Sequence, residues 1–122
     1  MSATTTTAGS IPSKHEWLVI LPDHPDSLST RQQVRPEHLA GIKPLADAGT
    51  ILFGGAFFEN PPPAGEAPHV KGTVLLAYAE SKDEVLELLK QDAYTKNGVW
   101  DWQKVQIYAF KTALRRALEG GV

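Results

Sequence analysis

The chain has 122 residues, enough for one domain with a modest core. Its formal net charge is -2 and like charges form no block, which argues against nucleic acid or an anionic membrane as an electrostatic partner. It has no cysteine, so disulfides and thiol chemistry are excluded, and no apolar run approaches the roughly 20 residues of a membrane span.

The N-terminal stretch "MSATTTTAGSIPSK" has no apolar core segment and no arginine, unlike a signal peptide or a mitochondrial presequence. Polar, Thr-rich and low in complexity, residues 1–14 are expected to form a disordered tail on a cytoplasmic protein. "EWLVILPD" (16–23) carries consecutive apolar residues from Trp17 to Leu21 and stops at Pro22, as a short central strand does. "HPDSLSTRQQ" reads as a polar loop with at most one helical turn, capped by Asp26 or Ser27. Pro36 suits the first turn of a helix that runs to Ala48 and stops at Gly49. Leu39, Ile42, Leu45 and Ala46 share its apolar face, and Pro44 bends it by removing the bond to the Ala40 carbonyl.

"TILFGGAFF" (50–58) reads as a strand in which Gly54-Gly55 marks a bulge or a close approach to the backbone. The proline-rich "ENPPPAGEAPHV" (59–70) is irregular, a candidate lid or a tolerated insertion. "GTVLLAYAE" (72–80) is the next strand. "SKDEVLELLKQD" opens with the capping box Ser81-x-x-Glu84 and carries a stripe of Val85, Leu88 and Leu89. "AYTKNGVWDW" reads as a loop turning at Asn97-Gly98. "QKVQIYAF" (103–110) alternates, with Val105, Ile107 and Ala109 on one side and Gln106, Tyr108 and Phe110 on the other. Residues 112–122 are a basic tail or a last helical turn.

The order is β-α-β-β-α-β, the ferredoxin-like α+β arrangement, with both helices on one face of an antiparallel sheet. The other face lacks a cover yet carries Tyr108 and Phe110. A second copy packed sheet on sheet is the economical partner, so a homodimer is expected. Gly54-Gly55 precedes no helix and there is no G-x-S-x-G, so neither a nucleotide loop nor a hydrolase elbow is expected. His15, His24, His38 and His69 form no close ligand pair, and no metal is expected.

His38 lies at the edge of the apolar stripe in "VRPEHLAGIKPLADAG". In the first turn of a helix that begins at Pro36, the helix dipole disfavours an imidazolium, whereas a nearby carboxylate favours one. A histidine between those influences suits general-base work, although packing alone also explains such a residue. Asp92 closes the second helix, where a carboxylate meets an unfavourable dipole, and residues that break a local rule are often held by function. Side-by-side helices permit His38 and Asp92 to meet. Arg35 can hold an anionic group, and Tyr94 and Trp100 can line a pocket or anchor the core.

"RQQVRPEHLAGIKPLADAGTILFGGAF" resembles the first half of a YCII-related (YciI-like) domain, with its R-x-x-H-L segment, Gly-terminated helix and Gly-rich turn. "GTVLLAYAESKDEVLELLKQDAYTKNGVWDWQKVQIYAF" resembles the second half, with a helix ending in D-P-Y and a following G-V segment. The resemblance covers roughly residues 15–111. It implies a dimeric α+β barrel and a catalytic His–Asp pair, falling on His38 and Asp92, with Arg35 and Tyr94 at matching motif positions. Ala93 replaces the motif proline, so the loop after Asp92 is expected to be less rigid. Similar barrels include muconolactone isomerase and chloro-hydroxyquinol dehydrochlorinase, and others bind haem or ligands.

The combined expectation is a cofactor-independent lyase or isomerase acting on a small enolisable or phenolic molecule. His38 moves the proton and Asp92 orients it. Phe53, Phe57 and Trp100 line the pocket, Arg35 or a backbone N–H near Gly54-Gly55 steadies an oxyanion, and the proline-rich loop shields the site. The alternative is a dimeric binding module without catalysis. A weaker one is oxidative chemistry with O₂, unaided or with recruited haem.

Overall fold

A computed structural model describes residues 13–122. The tail expected over residues 1–14 lies, through residue 12, outside the described residues. Four strands and three helices follow in order: β1 (His15–Pro22), α1 (Leu28–Asp47), β2 (Ile51–Phe58), β3 (Val70–Ala79), α2 (Lys82–Lys90), α3 (Ala93–Lys96) and β4 (Gln106–Phe110). The sheet order is β2-β3-β1-β4, every neighbouring pair antiparallel, which is the ferredoxin-like α+β arrangement.

Strand pleating assigns each residue to a face. Val19 stands opposite Leu75 and Ile107, and this row points toward the helices. Leu18 stands opposite Leu76 and Tyr108, and that row points away. The helix-side core joins Val19, Leu21, Leu75, Val85, Leu89, Tyr94, Val99 and Trp100, all essentially without solvent contact. Each such side chain contributes roughly 1.5–3 kcal/mol by leaving water.

Helix α1 is longer than its sequence signals indicate. It starts after Ser27, so Pro36 and Pro44 both lie inside it and His38 sits mid-helix, not in the first turn. The dipole argument for His38 therefore does not hold. Tertiary contacts overrule the proline: Arg31 is buried and bonded at one end, and Val34, Ile42 and Leu45 pack on the core. The C-terminus ends as expected. Gly49 takes φ +80° and donates to the Ala46 carbonyl, while Thr50 donates to the Leu45 carbonyl, closing a Schellman motif.

Gly54 and Gly55 pair regularly with Leu75 and Val74, and the register shifts fall at Ile51/Phe53 and Phe57/Phe58 instead. The expected bulge at the glycine pair is thus displaced to both ends of β2. The close approach is real at Gly54, where an added Cβ would meet Leu75 Cδ2 at 2.5 Å. In α2, the Ser81 hydroxyl accepts from the Glu84 N–H at 3.1 Å, and the Glu84 carboxylate returns to the Glu80 N–H. The segment read as a loop after Asp92 contains α3, and a 3-10 turn (Trp102–Lys104) delays β4 to Gln106. Residues 111–122 form no helix. No helix among the described residues is long and apolar enough to cross a membrane.

Candidate functional site

His38 and Asp92 meet. His38 Nδ1 lies 2.7 and 3.0 Å from the two Asp92 carboxylate oxygens, and both side chains are buried. A carboxylate only accepts, so Nδ1 is the donor in this contact. Asp92 is fixed a second time, because its Oδ1 accepts the Tyr94 backbone N–H at 2.8 Å as the N-cap of α3. Asp92 also follows directly on the α2 C-cap Gln91, its N–H donating to the Leu89 carbonyl, so it stands between the end of α2 and the start of α3. Ala93 is the first residue of α3, a position where proline fits as well, and the cap holds the carboxylate without it.

The His38 ring stacks on Tyr94, with centroids 4.0 Å apart and planes 12° apart. Trp100 meets both rings edge-on at 5.9 and 5.6 Å. On the far side of Tyr94, the Arg31 guanidinium lies 4.6 Å from the ring centroid. Arg31 Nη1 donates to both Asp23 oxygens at 2.9 and 3.0 Å, and Nη2 donates to Thr73 Oγ1 at 2.9 Å. Trp100 Nε1 donates to the same Thr73 oxygen at 3.2 Å. Burial pushes the Asp23 carboxyl above its ordinary range, against the opposing pull of Arg31. Burial likewise raises the Tyr94 phenol, so it stays protonated.

These groups back a cleft of about 330 Å³ between α1 and β2–β3. Arg31, Arg35, His38, Ile42, Phe53, Gly55, Thr73, Leu75 and Tyr94 are among its lining residues. Arg35 is exposed at this cleft, unlike Arg31. Its walls are mainly apolar, with charge concentrated on the α1 side. Among the described residues, no group of three or more His, Asp or Glu side chains is placed to hold a metal ion.

The cleft thus gathers His38, Arg35, Phe53, Gly55 and Tyr94 of the expected residues, with Asp92 directly behind His38. Trp100 does not line it: the ring is 1% exposed and supports His38 and Tyr94 from the core. Phe57 does not line it either, and packs over Gly72, where an added Cβ would strike its ring. The proline-rich loop is also absent from the cleft wall and borders a separate depression with Glu59 and His69. Arg31, Asp23 and Thr73 escaped the sequence reading. One signal was available: residues 31, 35 and 38 have the i, i+4, i+7 spacing of a single helix face, visible only if the helix is carried back to Ser27.

Residues 16–111 match the family model of the YCII-related domain. This chain belongs to that family. The YCII-related domain here is 38% identical over 97 residues to "Fusaric acid biosynthesis protein 2" of Gibberella fujikuroi, covering 80% of this chain and 93% of that protein. It is 40% identical over 101 residues to "Aspartate kinase FUB3" of Fusarium oxysporum f. sp. lycopersici, but spans only 19% of that protein's length against 83% of its own. Among solved structures it resembles the 5-chloro-2-hydroxyhydroquinone dehydrochlorinase TftG of Burkholderia phenoliruptrix in complex with 2,5-dihydroxybenzoquinone. The TM-score is 0.67 at 28% identity, over 79% of this chain and 93% of that one. The fold of the YCII-related domain is thereby the α+β barrel type that the sequence resemblance implied, and its relatives belong to small-molecule metabolism.

Proposed function

We propose that this chain is a cofactor-independent enzyme of the lyase or isomerase type, acting on a small phenolic or enolisable metabolite. The observation that carries the reading is the His38–Asp92 contact at the wall of a closed-backed apolar cleft. Asp92 holds Nδ1–H, so the Nε2 lone pair is the base. In the proposed step, Nε2 takes a proton from a ring hydroxyl or an acidic C–H. The released electron pair moves onto the substrate, giving a phenolate or enolate. That pair then either expels a leaving group or takes the proton back from His38 at another carbon. Asp92 stabilises the imidazolium formed in between, and Arg35, charged and exposed at the cleft, attracts the developing anion.

The substrate class is supported by the dehydrochlorinase likeness and by the apolar walls, which suit a flat ring. The same reading includes a homodimer formed through the open sheet face. Tyr78, Tyr108 and Phe110 are 40%, 52% and 42% exposed there, with Glu16, paired to Arg115, between Tyr78 and Phe110. Exposed rings on an uncovered sheet face favour a partner, and self-pairing needs only one surface.

The test is anaerobic incubation with 5-chloro-2-hydroxyhydroquinone and its non-halogenated analogue, followed by ultraviolet absorbance. Turnover that falls about 10²–10⁴-fold in His38→Ala, with the fold intact by circular dichroism, supports the assignment. Turnover indifferent to His38 sinks it. Tight binding without turnover, equal in His38→Gln, makes the chain a binding module instead.

A further inference from the structure

Thr73 is 3% exposed, lines the cleft, and belongs to neither the His38–Asp92 pair nor the anion contact assigned to Arg35. A hydroxyl oxygen has two lone pairs and one hydrogen. Both neighbours of Thr73 Oγ1, Arg31 Nη2 at 2.9 Å and Trp100 Nε1 at 3.2 Å, can only donate. They occupy both lone pairs. The Thr73 O–H therefore has one role left, that of a donor, and among the described residues no acceptor takes it. A buried donor without a partner is costly, and a ligand oxygen arriving in the cleft would satisfy it.

We propose that Thr73 is a ligand-binding residue whose hydroxyl donates to a carbonyl, enolate or phenolate oxygen held in the cleft. The neighbours also set its strength. A charge-assisted bond from Arg31 draws electron density from the hydroxyl oxygen, which makes its O–H a better donor. Asp23 holds the guanidinium in place by accepting Nη1 with both oxygens, so the donor arrives already oriented. Arg31 and Trp100 are positioning residues in this scheme and need not touch the ligand. Thr73 stands on β3 and His38 on α1, so a ligand between them has its oxygen read from the sheet and its proton handled from the helix. The proposal rests on reading the cleft as the ligand site, but not on turnover.

The test is a spectrophotometric titration with 4-nitrophenolate as probe, and with 4-nitrotoluene as a control of similar shape lacking the phenolic oxygen. Thr73→Val keeps the shape and removes the hydroxyl, and should weaken 4-nitrophenolate binding about ten-fold or more. Thr73→Ser should restore it to within about three-fold, and 4-nitrotoluene binding should change little in either variant. Equal 4-nitrophenolate binding by folded Thr73→Val overturns the proposal. Should that variant not fold, the wild type decides by proton NMR. A hydroxyl proton with an Overhauser contact to the Thr73 methyl should move downfield when the probe binds, and a signal indifferent to the probe overturns the assignment. His38→Ala separates this inference from the catalytic one: it abolishes turnover if His38 is the base, yet should keep the Thr73-dependent binding. Binding lost in His38→Ala but kept in Thr73→Val refutes the role given to Thr73.

Discussion

The two faces of the sheet are made from alternate residues of the same four strands, yet they are governed by different physics. The helix-covered face buries polar groups beside its apolar core: Thr73, Arg31, Asp23, His38 and Asp92 are all withdrawn from water and nearly all bonded. The open face exposes Tyr78, Tyr108 and Phe110. Burial of charge is tolerated on the first because each buried ion has a partner at hydrogen-bond distance. Exposure of apolar rings on the second is tolerated in a single chain because it costs little folding energy, though it leaves a surface prone to association. The buried polar side is where precise orientation is obtained; the apolar side is where a partner can be gained.

The largest expected effect comes from breaking a partnership on the covered face. Arg31→Met leaves the Asp23 carboxylate buried without its cation, and should cost roughly 3–5 kcal/mol in urea unfolding. Adding Asp23→Asn should recover part of that loss, because the stranded charge is removed. A loss under about 1 kcal/mol for Arg31→Met would mean that the pair contributes little and that apolar packing alone holds this end of α1.

Gly72→Ala sharpens the contrast in packing. An added Cβ there collides with the Leu21 carbonyl oxygen and lies 2.7 Å from the Phe57 ring and 2.8 Å from Pro22 Cα; the Leu21 and Pro22 atoms are backbone of β1. At Gly54 the obstacle is the tip of the Leu75 side chain, which can rotate. Gly72→Ala should therefore cost about 1–3 kcal/mol or more in thermal or urea unfolding, and exceed Gly54→Ala. The reverse order would show that strands β1 and β3 yield more readily than the Leu75 rotamer.

The pH dependence concerns Tyr94. Its phenol is raised above the usual 10.0 by burial, so the unfolded chain loses this proton first as pH rises. Between 10 and the folded value the native state binds more protons, and stability falls with increasing pH. Tyr94→Phe should remove that part of the fall, giving a flatter stability profile above about pH 10 in denaturant titrations. Identical slopes in the two proteins would show that the phenol is as solvated when folded as when unfolded.

The smallest effect on folding is expected on the open face. Tyr108→Asp should change single-chain stability by no more than about 0.5 kcal/mol, because the ring is half exposed. It should nevertheless convert a dimer into a monomer by light scattering, with the His38 NMR signals retained. A wild type that is monomeric at millimolar concentration would remove the dimer from the proposed function.

Much of this was legible in the chain. The strands, the Ser81 cap, the Gly49 stop and the pairing of faces follow from local rules that act within a few residues. His38 and Asp92 were nameable through a family resemblance, and Arg35, Phe53, Gly55 and Tyr94 border the same cleft as His38. Trp100 and Phe57 were misplaced because an aromatic residue carries no local mark of whether it lines a cavity or fills one. The start of α1 was misread because proline is a local signal and the forces that overrule it are not local. Asp23, Thr73 and Tyr94 reach Arg31 from three other segments.

The sequence by itself determined the order of elements, the alternation that separates the two faces, and the family motif in which His38 and Asp92 stand. Those properties depend on neighbours in the chain. Only the tertiary structure decided that Asp92 caps α3 while holding His38, that Arg31 is buried and paired, and that Thr73 has one hydrogen with nowhere to go. Hydrogen bonds span about 3 Å, and whether two groups come that close depends on how separate segments pack, across 54 residues for His38 and Asp92.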